Sequence, residues 1–167
     1  VAYHESGHAV VGAVLEHTEP IHKVTIMPRE NSMGVTQQLP EEDRYIYERS
    51  YLLDRLAVMM GGRAAEHLKA DTMTSGAEND LQQARKLARK MVLEWGIGEA
   101  FRNVAMGNGG GNVFLGEEIA QRREYSDETN RILDKEVKSI LDEAFERAKN
   151  ALEDNRDGFD EVASVLL

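Results

Sequence analysis

The sequence predicts a mainly α fold with a small β-hairpin or short sheet near the N-terminus and a long C-terminal helix. Two observations carry this prediction. Apolar residues recur at the helical period in several separate stretches, and the β-branched runs are few, short and confined to the first part of the chain. A single core usually serves a chain of 167 residues, so one domain over 1–167 is expected, with room for a smaller helical lobe.

The first helix is predicted over Ala2 to Leu15, where Ala2, Ala9, Val10, Ala13 and Val14 fall on a helical repeat, and Glu16 to Pro20 breaks it. Lys23 to Pro28 and Gly34 to Leu39 read as two short strands. The polar Arg29 to Met33 between them suits a hairpin-like connection. Pro40 with Glu41, Glu42 and Asp43 reads as a helix start, because proline suits the first turn and acids favour its positive end. From Tyr45 to Leu68 the positions Leu52, Leu53, Leu56, Ala57, Met60 and Ala64 keep the helical period, while Gly61 and Gly62 mark close helix packing or a bend. Thr74 to Gly76 is a loop. After it, Leu81, Ala84, Leu87, Ala88, Met91 and Val92 make another stripe, ended by Gly96 and Gly98. Gly107 to Asn112 is glycine-rich and is assigned no catalytic role. The long last helix starts near Ser126, a capping residue followed by acids. Its expected buried stripe is Ile132, Leu133, Val137, Ile140, Leu141, Ala144, Phe145, Ala148 and Leu152.

Composition removes several function classes. A formal net charge of -10 argues against nucleic-acid binding, which needs clustered Lys and Arg; Arg85, Lys86, Arg89 and Lys90 read as a solvated helix face. With no cysteine there is no disulfide, thiolate metal site or Cys nucleophile, so any metal must be held by His, Asp or Glu. No apolar run approaches the roughly 20 residues of a membrane span. Val1 lies directly inside a motif, without initiator Met or leader, so the chain is read as a piece of a longer protein.

That motif is His4-Glu5-Ser6-Gly7-His8, an H-E-x-x-H sequence. Residues four apart share a helix face, so both imidazoles can reach one ion. Zinc held this way keeps a position for water and lowers its pKa towards about 7. Glu5, beside the first ligand, is placed to take the water's proton and pass it to the leaving amine. The uncharged neighbours Ala2, Tyr3, Ser6, Gly7, Ala9, Val10 and Val11 make this a mostly buried helix. Charged groups there need a partner, which a metal supplies. A third protein ligand is required. Val11 and Val14 stand where the metzincin extension needs Gly and His, which excludes that version. His17, His22, His67, Glu66, Asp71, Glu78 and Asp80 remain as candidates, and spacing does not choose among them.

The chain resembles the peptidase domain of the FtsH family of membrane-anchored, ATP-dependent zinc proteases. The matching stretches are 1–9 (Val-Ala-Tyr-His-Glu-Ser-Gly-His-Ala), 22–29, 39–45, 61–66 (Gly-Gly-Arg-Ala-Ala-Glu), 74–81 (Thr-Ser-Gly-Ala-Glu-Asn-Asp-Leu) and 113–116, in order over nearly the whole chain. Ser6 and His67 depart from the usual pattern, and neither touches the chemistry. The resemblance implies Zn2+ held by His4, His8 and Asp80, with Glu5 as general base; Glu66 stays the runner-up third ligand, its expected role being a solvated acid on the helix surface. It also implies a parent that forms a homohexamer and carries an AAA ATPase module using ATP and Mg2+. The family members degrade unfolded or membrane proteins from the cytoplasmic face of a bacterial inner membrane, or at an organelle membrane. This stretch carries no G-x-x-x-x-G-K-[ST] phosphate loop of its own.

Two other readings share the motif: a zinc hydrolase of small amides or esters, and a non-catalytic helical assembly module retaining metal-ligand residues. In the protease reading, the edge of either predicted strand can pair with an extended substrate through backbone hydrogen bonds.

Overall fold

Backbone meets backbone where the first two long helices pack, and that contact positions the site. The computed structural model of the protein describes residues 1–27, 34–38, 46–106 and 126–167. Helix α1 (Ala2–Val14) is buried almost all round from Glu5 to Gly12. The buried hydroxyl of Ser6 is satisfied by donating to Ala2 O at 2.7 Å. Ala13 and Val14, expected on the apolar stripe, are exposed, because α1 leaves the core at its last turn. Helix α2 (Arg49–Ala70) buries every position of its expected stripe. Gly61 and Gly62 do not bend it. A Cβ on Gly7 or Gly61 would come within 3.0 Å of the other helix's backbone, so glycine at both positions lets α1 and α2 touch.

Strands β1 (Ile21–Thr25) and β2 (Val35–Gln38) form a two-stranded antiparallel sheet, pairing Val24 with Thr36 and Thr25 with Val35. The first strand starts two residues earlier than its β-branched run. The predicted connection over Arg29 to Met33, the helix start at Pro40 to Asp43 and the glycine-rich Gly107 to Asn112 lie outside the described residues. Helix α2 ends on Asp71, which adopts the left-handed conformation (φ 46°) usually given to glycine and donates its N–H to His67 O at 3.0 Å. A 3-10 turn, Ser75–Ala77, leads into α3 (Glu78–Leu93), with Gly96 (φ 61°) beyond it.

Helix α4 (Asp127–Asp154) starts where the sequence places it, with Ser126 Oγ accepting from Thr129 N at 3.1 Å. Its buried residues include Leu133, Val137, Ile140, Ala144, Ala148 and Leu152, whereas Ile132 is 38% exposed and belongs to the outer face. It is not the last element. A further helix, α5 (Arg156–Leu166), packs on α1 with Phe159 fully buried, its ring edge-on to Tyr3 at 5.7 Å. Among the described residues no helix is long and apolar enough to cross a membrane.

The contacts divide into two units, Val1–Ala84 with Asp142–Leu167, and Arg85–Leu141. In the first, buried Asp54 of α2 pairs with Arg147 of α4 at 2.5 Å and accepts from His17 N at 3.1 Å. In the second, Arg89 pairs with Asp134 at 3.7 Å, and the Glu136 carboxylate accepts from the backbone N–H groups of Glu99 and Ala100. The side chains of Arg85, Lys86 and Lys90 are exposed, as expected for a solvated helix face.

Candidate metal centre

His4 and His8 sit one turn apart on α1, their rings edge to face at 4.9 Å. The first turn of α3 brings Asp80 to them. His4 Nε2 lies 3.1 Å from Asp80 Oδ2, His8 Nε2 lies 3.2 Å from the same oxygen, and the two Nε2 atoms are 3.2 Å apart. All three belong to the first unit, and together they are a group with metal-ligating spacing.

The outer nitrogens decide what these three atoms present. His8 Nδ1 is 2.7 Å from Val58 O, an acceptor only, so it carries a proton and leaves a lone pair on Nε2. His4 Nδ1 is 3.0 Å from Glu66 Oε1. Burial alone would raise the Glu66 pKa, but hydrogen bonds from Thr74 and His4 turn the net shift downward, so Glu66 accepts. His4 Nε2 therefore also offers a lone pair when the ring is neutral. Burial likewise opposes ionisation of Asp80, yet the hydrogen bonds of His4 and His8 hold its carboxyl well below the usual range. For His4, burial lowers the pKa, and the hydrogen bonds with Asp80 and Glu66 outweigh it, giving a net rise.

With both rings neutral and protonated at Nδ1, three lone-pair donors face one another at the corners of a nearly equilateral triangle. Without a positive charge between them they repel. The triangle fits zinc: tetrahedral ligands at about 2.0–2.1 Å from the ion stand about 3.3 Å apart. The donor set of two imidazoles and a carboxylate also suits it.

Glu66 is thus not a solvated surface acid. Its side chain is only 11% exposed, and besides His4 it accepts from Thr74 N at 3.1 Å and Thr74 Oγ1 at 2.8 Å. It fastens the loop leading to Asp80 onto the partner of His4, the usual outer support of a metal-bound imidazole. Gly62 and Glu66 lie one helical turn apart on the face that meets His4, where a Cβ on Gly62 would come within 3.0 Å of the His4 ring.

The remaining candidates are elsewhere. Asp71 caps α2, its carboxylate 3.2 Å from His67. Glu78 is exposed and pairs with Gln82, and His22 is exposed on β1. His17 is half-buried and contributes its backbone N–H to Asp54. Glu5 is 7% exposed and reaches β2, accepting from Thr36 Oγ1 at 2.8 Å, a contact no sequence spacing announces.

A profile of peptidase family M41 matches residues 1–167. The chain is 59% identical over 167 residues to the ATP-dependent zinc metalloprotease FtsH 2 of Salinibacter ruber (strain M8). It is 50% identical over 167 residues to ATP-dependent zinc metalloprotease FtsH 4 of Sphaerobacter thermophilus, and 46% over 167 residues to ATP-dependent zinc metalloprotease FtsH of Nitrosococcus oceani. In each case all of this chain is aligned, against 24%, 25% and 26% of the relative in that order, so it spans about a quarter of their length.

Proposed function

The chain belongs to peptidase family M41, and on that footing we propose that it is the zinc metalloendopeptidase domain of an ATP-dependent protease, hydrolysing peptide bonds of unfolded or damaged proteins. The observation that carries this reading is the convergence of His4 Nε2, His8 Nε2 and Asp80 Oδ2, with Glu5 on the same helix as the histidines.

In this reading His4, His8 and Asp80 hold the ion, and Glu66 and the Val58 carbonyl keep both imidazoles in the tautomer that can ligate. Zinc, when bound, supplies Lewis-acid polarisation of the scissile carbonyl and a water of lowered pKa. The Glu5 carboxylate takes one proton from the attacking water and returns it to the departing amine nitrogen. The C–O bond forms first, the C–N bond breaks once the nitrogen has received the proton, and Glu5 ends as it began. Strand β2 hydrogen-bonds Glu5 through Thr36, so its outer edge is the one proposed to pair with an extended substrate, giving loose sequence preference.

The relatives' names and their greater length support a parent with an AAA ATPase module that uses ATP and Mg2+ to unfold substrates. The proposal extends to a homohexamer anchored in a membrane, with this domain on the cytoplasmic face and membrane proteins among its substrates.

Glu5→Gln tests the chemistry. Metal content stays near one zinc per chain while casein digestion falls to background, because the base is removed and the ligands are not. Undiminished digestion, or a wild-type protein that takes up no zinc on titration, would overturn the reading.

A further inference from the structure

The Glu5 carboxylate is gripped from two sides by one short segment. Thr36 Oγ1 lies 2.8 Å from Glu5 Oε2 and 3.1 Å from the Glu5 carbonyl oxygen. The hydroxyl has one proton for these two acceptors. The charged oxygen is the stronger acceptor and the nearer one, so the bond to Oε2 dominates. On the other side is Gly34, where a Cβ would stand 2.6 Å from Glu5 Oε1 and 2.8 Å from Cγ. The carboxylate therefore occupies the space of an absent side chain at one oxygen and is hydrogen-bonded at the other. Thr36 is itself fixed by its pairing with Val24 across the sheet.

We propose that Thr36 is a positioning residue for the reaction: its hydroxyl holds Oε2 of Glu5 and so fixes the orientation of the carboxylate that exchanges the proton. A glutamate has three side-chain torsions, and proton transfer requires the carboxylate within hydrogen-bond reach of the water in one geometry. The bond from Thr36 selects that geometry before substrate arrives. Gly34 is the complementary requirement, since any side chain there displaces Oε1.

This inference rests on Glu5 acting as the base, and the test separates the two. Thr36→Val, Thr36→Ser, Gly34→Ala and Glu5→Gln are compared in the intact protein, reading kcat and KM on casein, zinc content and thermal stability. Thr36→Val keeps the shape and removes the hydroxyl. It lowers kcat about tenfold, a part of the roughly 10²–10⁴-fold that a positioned proton-transfer group contributes. KM stays within about twofold, because substrate binding does not use this bond. Zinc content and stability are retained, and Thr36→Ser restores kcat. Gly34→Ala lowers kcat with Thr36 intact, and so reports on the same grip should Thr36→Val fail to fold. Wild-type kcat in Thr36→Val or in Gly34→Ala, an equal loss in Thr36→Ser, or a loss that tracks departing zinc would each overturn the proposal. Turnover surviving Glu5→Gln removes the base assignment and Thr36's role with it; turnover abolished there but intact in Thr36→Val removes Thr36 alone.

Discussion

Two polar clusters lie in the same unit of this protein, and they are built on opposite principles. Around Asp54 the charges are closed on themselves: one carboxylate oxygen has the Arg147 guanidinium at 2.5 Å and the other has the His17 N–H at 3.1 Å. Around Asp80 they are not. A carboxylate oxygen and two imidazole nitrogens lie 3.1–3.2 Å from one another, with every outer nitrogen committed to an acceptor behind it. A buried acid with its own cation is a structural tie. A partly buried set of acceptors converging on one point calls for a cation from outside.

That contrast breaks most sharply on matched substitutions. Asp80→Asn removes a charged donor, and zinc affinity falls by more than the roughly 100-fold that bounds loss of an outer partner, taking casein digestion to background. Metal titration and activity read this together. Asp54→Asn leaves zinc content near one per chain but lowers stability by about 2–3 kcal/mol, below the usual 3–5 for a broken buried pair because the Arg147 side chain, 36% exposed, can turn to solvent. Denaturant unfolding checks it. If Asp54→Asn lost zinc while Asp80→Asn kept it, the two clusters would have been assigned the wrong way round.

Glu66→Gln sharpens the comparison at the cluster's rim. The His4 hydrogen bond remains available without its charge, and zinc affinity drops roughly 10-fold to 100-fold, measured by competition with a chelator. Smallest is the effect of acidity. The His4 pKa is raised in the metal-free fold, so protonated His4 stabilises that fold fully below its ordinary pKa of 6.5, and this stabilisation is lost as pH rises through the folded value. Bound zinc excludes that proton, so its stabilising effect grows over the same rise. The difference in melting temperature between zinc-loaded and chelator-stripped protein therefore widens by several degrees from pH 5.5 to pH 8. A difference that stays constant would contradict the shared centre.

Much of this architecture is local and was legible. The expected stripe of α2, the Ser126 cap of α4 and the small N-terminal sheet follow from period, capping and β-branched runs. Helix α5 carries little sequence signal, because Arg156-Asp157-Gly158 opens it with charges and a glycine, and only Phe159 and Ala163 of its residues are buried. Ile132 fits the apolar period as well as Leu133 does, yet the core side of α4 is reached by Leu133.

The same division runs through the candidate metal centre. Sequence alone determined that His4 and His8 share a face and that Glu5 adjoins them, since a spacing of four residues is a property of any helix. It left the third donor open among three histidines and four acids, with Asp80 implied only by family resemblance. Tertiary structure decided that Asp80 rather than Glu66 reaches both imidazoles, that Glu66 backs His4 and that Thr36 holds Glu5. These partners are separated by 76, 62 and 31 residues along the chain. No local periodicity spans such distances, and only the backbone contact of α1 with α2, the turn into α3 and the register of β2 bring the atoms together.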